Sequence, residues 1–258
     1  MRPFQRAIDF TAGPIVGAGL GALSFVRRAR VFHPTGAAFQ ATVDVQGDRV
    51  PDGLAPHGRH RAVVRLSRGA GTPEPMPDIL GVAVRILDAH GAGGHQDLLL
   101  ASSGAPPVLR HALLPAIAFG TSFFSSLLPY RTGDGRVVVL GARPLWTGTQ
   151  AGEQQGSTEP LAPTATLADV EAALESAKLR LELVVAEPAR PWQPFATIDV
   201  GRRLGDAEAE SLRFNPFNTG DAFEPAGVLN AVRRRAYAAS QAARPTPLAD
   251  PAAPHHAA

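Results

Sequence analysis

Seven short runs of β-branched and apolar residues constrain this chain more than any other feature. They are Gln40–Val45, Ala62–Leu66, Val82–Leu87, Asp97–Ala101, Val137–Leu140, Leu179–Ala186 and Ala196–Val200. Turn-forming stretches rich in glycine and proline separate them, among them HPTG (33–36), GAGTPEP (69–75) and HGAGGH (90–95). Seven strands at irregular spacing predict an antiparallel sheet large enough to curl or close, and so an α+β chain built on an antiparallel β-barrel. With 258 residues, 45% of them hydrophobic, one sizeable core and one large domain are the default.

Helices are fewer. Leu167–Lys178 follows a capping threonine, Thr166, with Asp169 three residues on. Val108–Leu128 is apolar and interrupted by Pro115 and Gly120, and reads as one or two buried helical pieces. Pro225–Arg244 is alanine-rich, has a proline at its start and is stopped by Pro245. Residues 151–163 read as a surface loop and 245–258 as a disordered tail.

Phe10–Val26 carries no charge and has arginines on both sides, but four glycines and a proline weaken it as a spanning helix. The sequence RRAR follows it, which argues against a cleaved leader. The stretch is expected to be an N-terminal apolar arm (1–26), packed on the core or touching a membrane surface. The domain proper is expected over 27–244.

Composition excludes several classes of chemistry. The absence of cysteine removes disulfides, thiolate metal sites and cysteine nucleophiles, and fits a reducing, cytoplasmic setting. A formal net charge of +2 is far from that of a dedicated nucleic-acid binder, so no nucleic-acid partner is expected. GAGLGA (17–22) is not preceded by a strand, and neither a nucleophile elbow nor a phosphate loop occurs. His57, His60, His255 and His256 read as solvated, with no third ligand near them in sequence.

Three stretches carry candidate chemistry. In NAVRRRAYAASQAAR (230–244), a helical period puts Arg233, Tyr237 and Arg244 on one face. An arginine one turn from a tyrosine favours the phenolate, a hard ligand suited to ferric iron; a solvated basic helix explains the same spacing. His33 precedes a turn that feeds a strand, a position that also suits a structural histidine. Arg65 and Ser67 share one face of the strand VVRLS. A buried strand arginine needs an anionic partner, either a carboxylate or a ligand's propionate.

Taken in order, these motifs resemble the haem catalase superfamily. They are Arg30–Val31–Phe32–His33, Val64–Arg65–Leu66–Ser67, Asp78–Ile79–Leu80–Gly81, Asp97–Leu98, Phe214–Asn215–Pro216, and Arg233 with Tyr237 and Arg244. The form of the last two is most similar to the small catalase-related haem peroxidases. The resemblance implies a catalase-like barrel with flanking helices that binds haem b, with Tyr237 as the iron ligand and Arg233 holding it as phenolate. It implies His33 as distal acid/base with Ser67 orienting its imidazole, and Arg30, Arg65 and Arg244 on the propionates.

The implied activity is reduction of hydrogen peroxide or organic hydroperoxides with an unidentified reductant. The alternatives are a non-catalytic haem carrier or sensor, and a haem-free scaffold. The oligomeric state is open, a homodimer included. Two departures bear on the substrate. Ser102 stands where the family has a distal asparagine, a hydroxyl in place of an amide, and APPVLRHALL (105–114) replaces a phenylalanine-rich segment. The first disfavours efficient dismutation of hydrogen peroxide; the second implies a wider distal pocket and organic hydroperoxides. Pro34 after His33 is a third departure.

Overall fold

The computed structural model describes residues 35–148, 166–227 and 229–230. The strands are β1 (Thr35–Val45), β2 (Gly58–Arg68), β3 (Leu80–Ile86), β4 (Gln96–Ser103), β5 (Phe123–Ser125), β6 (Tyr130–Arg131), β7 (Val137–Gly148), β8 (Ala177–Ala186), β9 (Gln193–Arg203) and β10 (Glu224–Pro225). Two helices accompany them, α1 (Leu167–Ser176) and α2 (Asp206–Ser211). The order β7-β5-β4-β3-β2-β1-β9-β8 closes on itself through a β7–β8 pairing, giving an antiparallel barrel of these strands. β6 and β10 form a small side sheet against the start of β7.

Alternation fills the barrel. Ala62, Val64 and Leu66 of β2 point inward with Val82, Val84 and Ile86 of β3 and Leu98 and Leu100 of β4, and the rest of the buried apolar core joins them. Closure falls to β9, which carries an extra residue against β1 near Gly201 and another against β8 near Phe195. Bulges of this kind raise the local twist that a closing sheet needs. At the first of them a Cβ on Gly201 would lie 3.2 Å from the Gln40 carbonyl oxygen.

All seven expected runs fall on strands, each observed with extra residues at one or both ends, although Leu87, expected to end the third run, lies in the turn after β3. The capping of α1 is as expected: Thr166 Oγ1 accepts from the Asp169 N–H (3.0 Å), and the Asp169 carboxylate accepts from the Thr166 N–H (2.8 Å). The helix stops at Ser176 because Ala177 and Lys178 already pair with Gly148 and Thr147 of β7.

Two expectations are corrected. Val108–Leu128 is not a buried helical pair: it holds two single 3-10 turns, Leu109–His111 and Phe119–Thr121, and then β5. Pro115 removes a donor at its centre, and its first part is exposed. Pro225 does not open a helix, because it pairs with Tyr130 in the side sheet; Leu229 and Asn230 are helical. The arm 1–26, the loop 151–163, the tail 245–258 and the helix beyond Asn230 lie outside the described residues.

The upper end of the barrel is where β1 begins and β2 and β4 finish, since Thr35 pairs with Arg68 and Gly81 with Ala101. The β2–β3 loop there is organised by Asp78. Its buried carboxylate accepts from the N–H groups of Ala70 (2.6 Å), Thr72 (3.1 Å) and Ile79 (2.6 Å) and from the Thr72 hydroxyl (3.1 Å). Burial alone raises the pKa of this carboxyl, and these donors more than reverse that, so it lies below the usual value. Arg68, also buried, stands 3.7 Å away.

Candidate functional site

Strand register decides which candidate residues meet. Arg65 and Ser67 alternate with the inward Val64 and Leu66, so both face outward from β2. Across the sheet, Ser67 lies level with Gly36 of β1 and Gly81 of β3, Gly81 with Ala101 of β4, Ala101 with Ser125 of β5, and Ser125 with Gly141 of β7. The next outward row is Ala38, Arg65, Ala83 and Leu99. The first row therefore contains no side chain longer than a hydroxymethyl group. Across five adjacent strands, Gly36 to Ser125, these small residues form a strip that runs about 19 Å along the curved outer wall of the barrel at the usual strand spacing of ~4.8 Å. At its far end Ser125 is fully buried, its hydroxyl accepting from the Leu127 N–H.

Arg65 borders this strip. It is half-buried, and its guanidinium passes so close to Gly36 that a Cβ there would meet Nη2 at 2.9 Å. Glycine at 36 thus leaves the arginine room to lie along the sheet. Ser67 is 5% exposed. At the strip's upper edge, the outward-facing Ser103 hydroxyl is buried without a hydrogen-bond partner.

Ser103 was not among the sequence candidates. In DLLLASS, apolar residues occupy both parities, so alternation gives no sign of which serine faces out.

Ser102 is on the other side of the sheet from Arg65 and Ser67. It shares the inward parity of Leu98 and Leu100, accepts from the Leu80 N–H (3.0 Å) and donates to the Leu114 carbonyl (2.7 Å). Its one proton holds the β4–β5 connection to the barrel rim, and the outward neighbour in Ser67's row is Ala101. Ser102→Ala is expected to lower the unfolding free energy by ~2 kcal/mol, the cost of stranding a buried N–H and a carbonyl, read from urea denaturation. Arg30, His33, Arg233, Tyr237 and Arg244 lie outside the described residues.

The Phe214–Asn215–Pro216 motif has a clear structural job. Asp97 (β4) and Arg85 (β3) face outward side by side and form a buried bidentate pair, Nε to Oδ1 and Nη2 to Oδ2, both 2.8 Å. The pair clamps the returning chain. Asn215 N–H donates to Asp97 Oδ2 (2.9 Å), Arg85 donates to the Arg213 carbonyl (2.5 Å) and lies 5.3 Å from the Phe214 ring centre, and the Asp97 N–H donates to the Asn218 carbonyl (2.8 Å). From there the chain crosses the lower end. Phe223 stacks on Tyr130, and the Asn230 amide donates to the carbonyls of Pro129 and Ala226. The segment that leads to Tyr237 is therefore fixed to the barrel up to Asn230. Among the described residues no group of three or more His, Cys, Asp or Glu is placed to hold a metal ion.

The closed antiparallel barrel with an outward strip and few helices is a catalase-like fold. A fungal catalase superposes with a TM-score of 0.56 at 14% identity, over 93% of this chain and 65% of its own. Catalase A from Saccharomyces cerevisiae gives 0.56 at 12% identity, over 93% of this chain and 67% of its own. The chain thus spans about two thirds of the length of these structures. No family model matches the sequence, and no curated protein matches it. At this identity the likeness establishes the fold alone.

Proposed function

We propose that this chain is a catalase-like haem protein that reduces peroxides, organic hydroperoxides included. The observation that supports it most is the strip of Gly36, Ser67, Gly81, Ala101 and Ser125 bordered by Arg65. A flat macrocycle needs a floor without protruding side chains and a cation at its edge for its carboxylates, and these residues fit both needs. Haem, when bound, supplies the redox chemistry that cleaves the peroxide O–O bond.

The chain's own residues would divide the remaining work. Tyr237 would hold the iron as phenolate, its charge stabilised by Arg233 one turn away. Tyr130, the other tyrosine, is occupied in packing on Phe223. Arg65, with Arg30 and Arg244, would hold the propionates. His33 would take a proton from one peroxide oxygen and return it to the other, its imidazole oriented by Ser67.

A second reading, a haem carrier without peroxide turnover, is favoured by one observation: the Ser102 hydroxyl is committed to Leu80 and Leu114, and Ala101, with no polar group, takes the outward place in the strip.

Haem titration of the purified protein, followed by absorption, tests the proposal. A Soret band that saturates and then changes on addition of peroxide is expected; a stable band inert to peroxide identifies the carrier. Absence of any Soret band after haem is supplied refutes both. Ala83→Phe, which raises a ring level with Arg65 in the row next to the strip, is expected to weaken haem binding about tenfold or more, the range of an overpacked site, without moving the unfolding transition.

A further inference from the structure

The residues from Ala105 to Ile117 are arranged inside out for a water-exposed loop. Val108 is 75% exposed and Leu109 43%, while the adjoining Arg110 is 1% exposed. The arginine turns inward, donates to the carbonyls of Glu187 (3.4 Å) and Arg190 (2.9 Å), and lies 4.4 Å from the ring centre of Trp192. Burial pushes its guanidinium below the usual pKa, and its Nε has no partner. Water favours the opposite arrangement, with the cation out and the aliphatic side chains in.

The exposed apolar residues are not scattered. The large hydrophobic side chains exposed among the described residues are Met76, Val108, Leu109, Leu114 and Ile117, and all lie on two loops. Those loops are joined to each other by reciprocal backbone hydrogen bonds between Asp78 and Ala116. Both are tied to the upper rim: Leu114 N–H donates to the Ser102 carbonyl, and the Gly104 N–H donates to the Leu109 carbonyl. Clustered apolar exposure marks a surface that meets something other than water.

Charge and chain direction favour one partner. No carboxylate occurs between Asp97 and Asp134, or between Asp9 and Asp44. The one carboxylate pair on the adjoining loop, Glu74 and Asp78, faces Arg68 at 3.8 and 3.7 Å. Thr35 opens β1 at the same rim, and the residues leading to it read RRAR (27–30), preceded by the uncharged run 10–26. Exposed apolar side chains at the rim where the chain enters from a sequence carrying Arg27 and Arg28, with acids excluded or paired, match an anionic bilayer.

We infer that the upper rim is a docking surface for an anionic lipid membrane, with Val108, Leu109, Leu114, Ile117 and Met76 entering the headgroup–acyl boundary. Among the described residues no helix is long and apolar enough to cross a membrane.

The test is co-sedimentation of the full chain with phosphatidylcholine vesicles with and without phosphatidylglycerol. Binding is expected, stronger with phosphatidylglycerol and weakened by salt. The combined exposed-site substitutions Val108→Asp and Ile117→Asp are expected to lower the partition coefficient about tenfold or more with unchanged circular dichroism, whereas Val108→Leu retains binding. No binding by the unsubstituted chain, or equal binding by the doubly substituted one, overturns the inference. So does a homodimer that binds no vesicles and is dissolved by Val108→Asp, since the patch is then a surface between copies.

Discussion

Asp97→Ala is expected to be the most damaging single substitution in the barrel, costing ~3–5 kcal/mol of unfolding free energy. The carboxylate is buried and makes two bonds to Arg85 and one to the Asn215 N–H, so its removal leaves a buried guanidinium without its acid and frees the returning chain. For a domain of this size the loss corresponds to a fall in Tm of ~6–20 °C. A thermal melt with a shift of only a degree or two would show that the clamp contributes little. The same measurement on Asp97→Asn, which keeps the shape and loses the charge, separates the ionic contribution from packing.

Tyr237→Phe is expected to abolish stable haem ligation, with loss of the Soret band at haem concentrations that saturate the unsubstituted chain. Phenylalanine keeps the ring and removes the only atom able to bind iron. An unchanged spectrum would remove Tyr237 from the proposal while leaving the strip, tested separately by Ala83→Phe, in place. His33→Ala distinguishes the two faces, since it should keep the spectrum and lose the response to peroxide.

Much of the barrel could be read from the chain because its strands are buried on one face and carry dense β-branched apolar runs. β5 could not: Phe123–Ser125 is three residues long and sits in an apolar stretch whose period fits neither element, yet it is the strand that joins β4 to β7. Pro225 misled because a proline suits a short edge strand as well as a helix start. At the site, Arg65 and Ser67 were placed on one face by simple alternation, and they share it. Ser102 and Ser103 could not be sorted, because the direction of each depends on register with β3 and β5 and not on any local signal.

The β9 seam also has a consequence for how this chain is made. β1 is flanked by β2, close in sequence, and by β9, whose Val200 pairs with Ala41. Until residues 177–203 have emerged during synthesis, β1 and β7 each lack the strand that pairs with them in the closed barrel. Such non-local closure is slow, in the range of milliseconds to seconds for sheet-dominated topologies. The nascent chain therefore passes through a period in which it can associate with other copies of itself, and this vulnerable interval ends only when β8 and β9 arrive together.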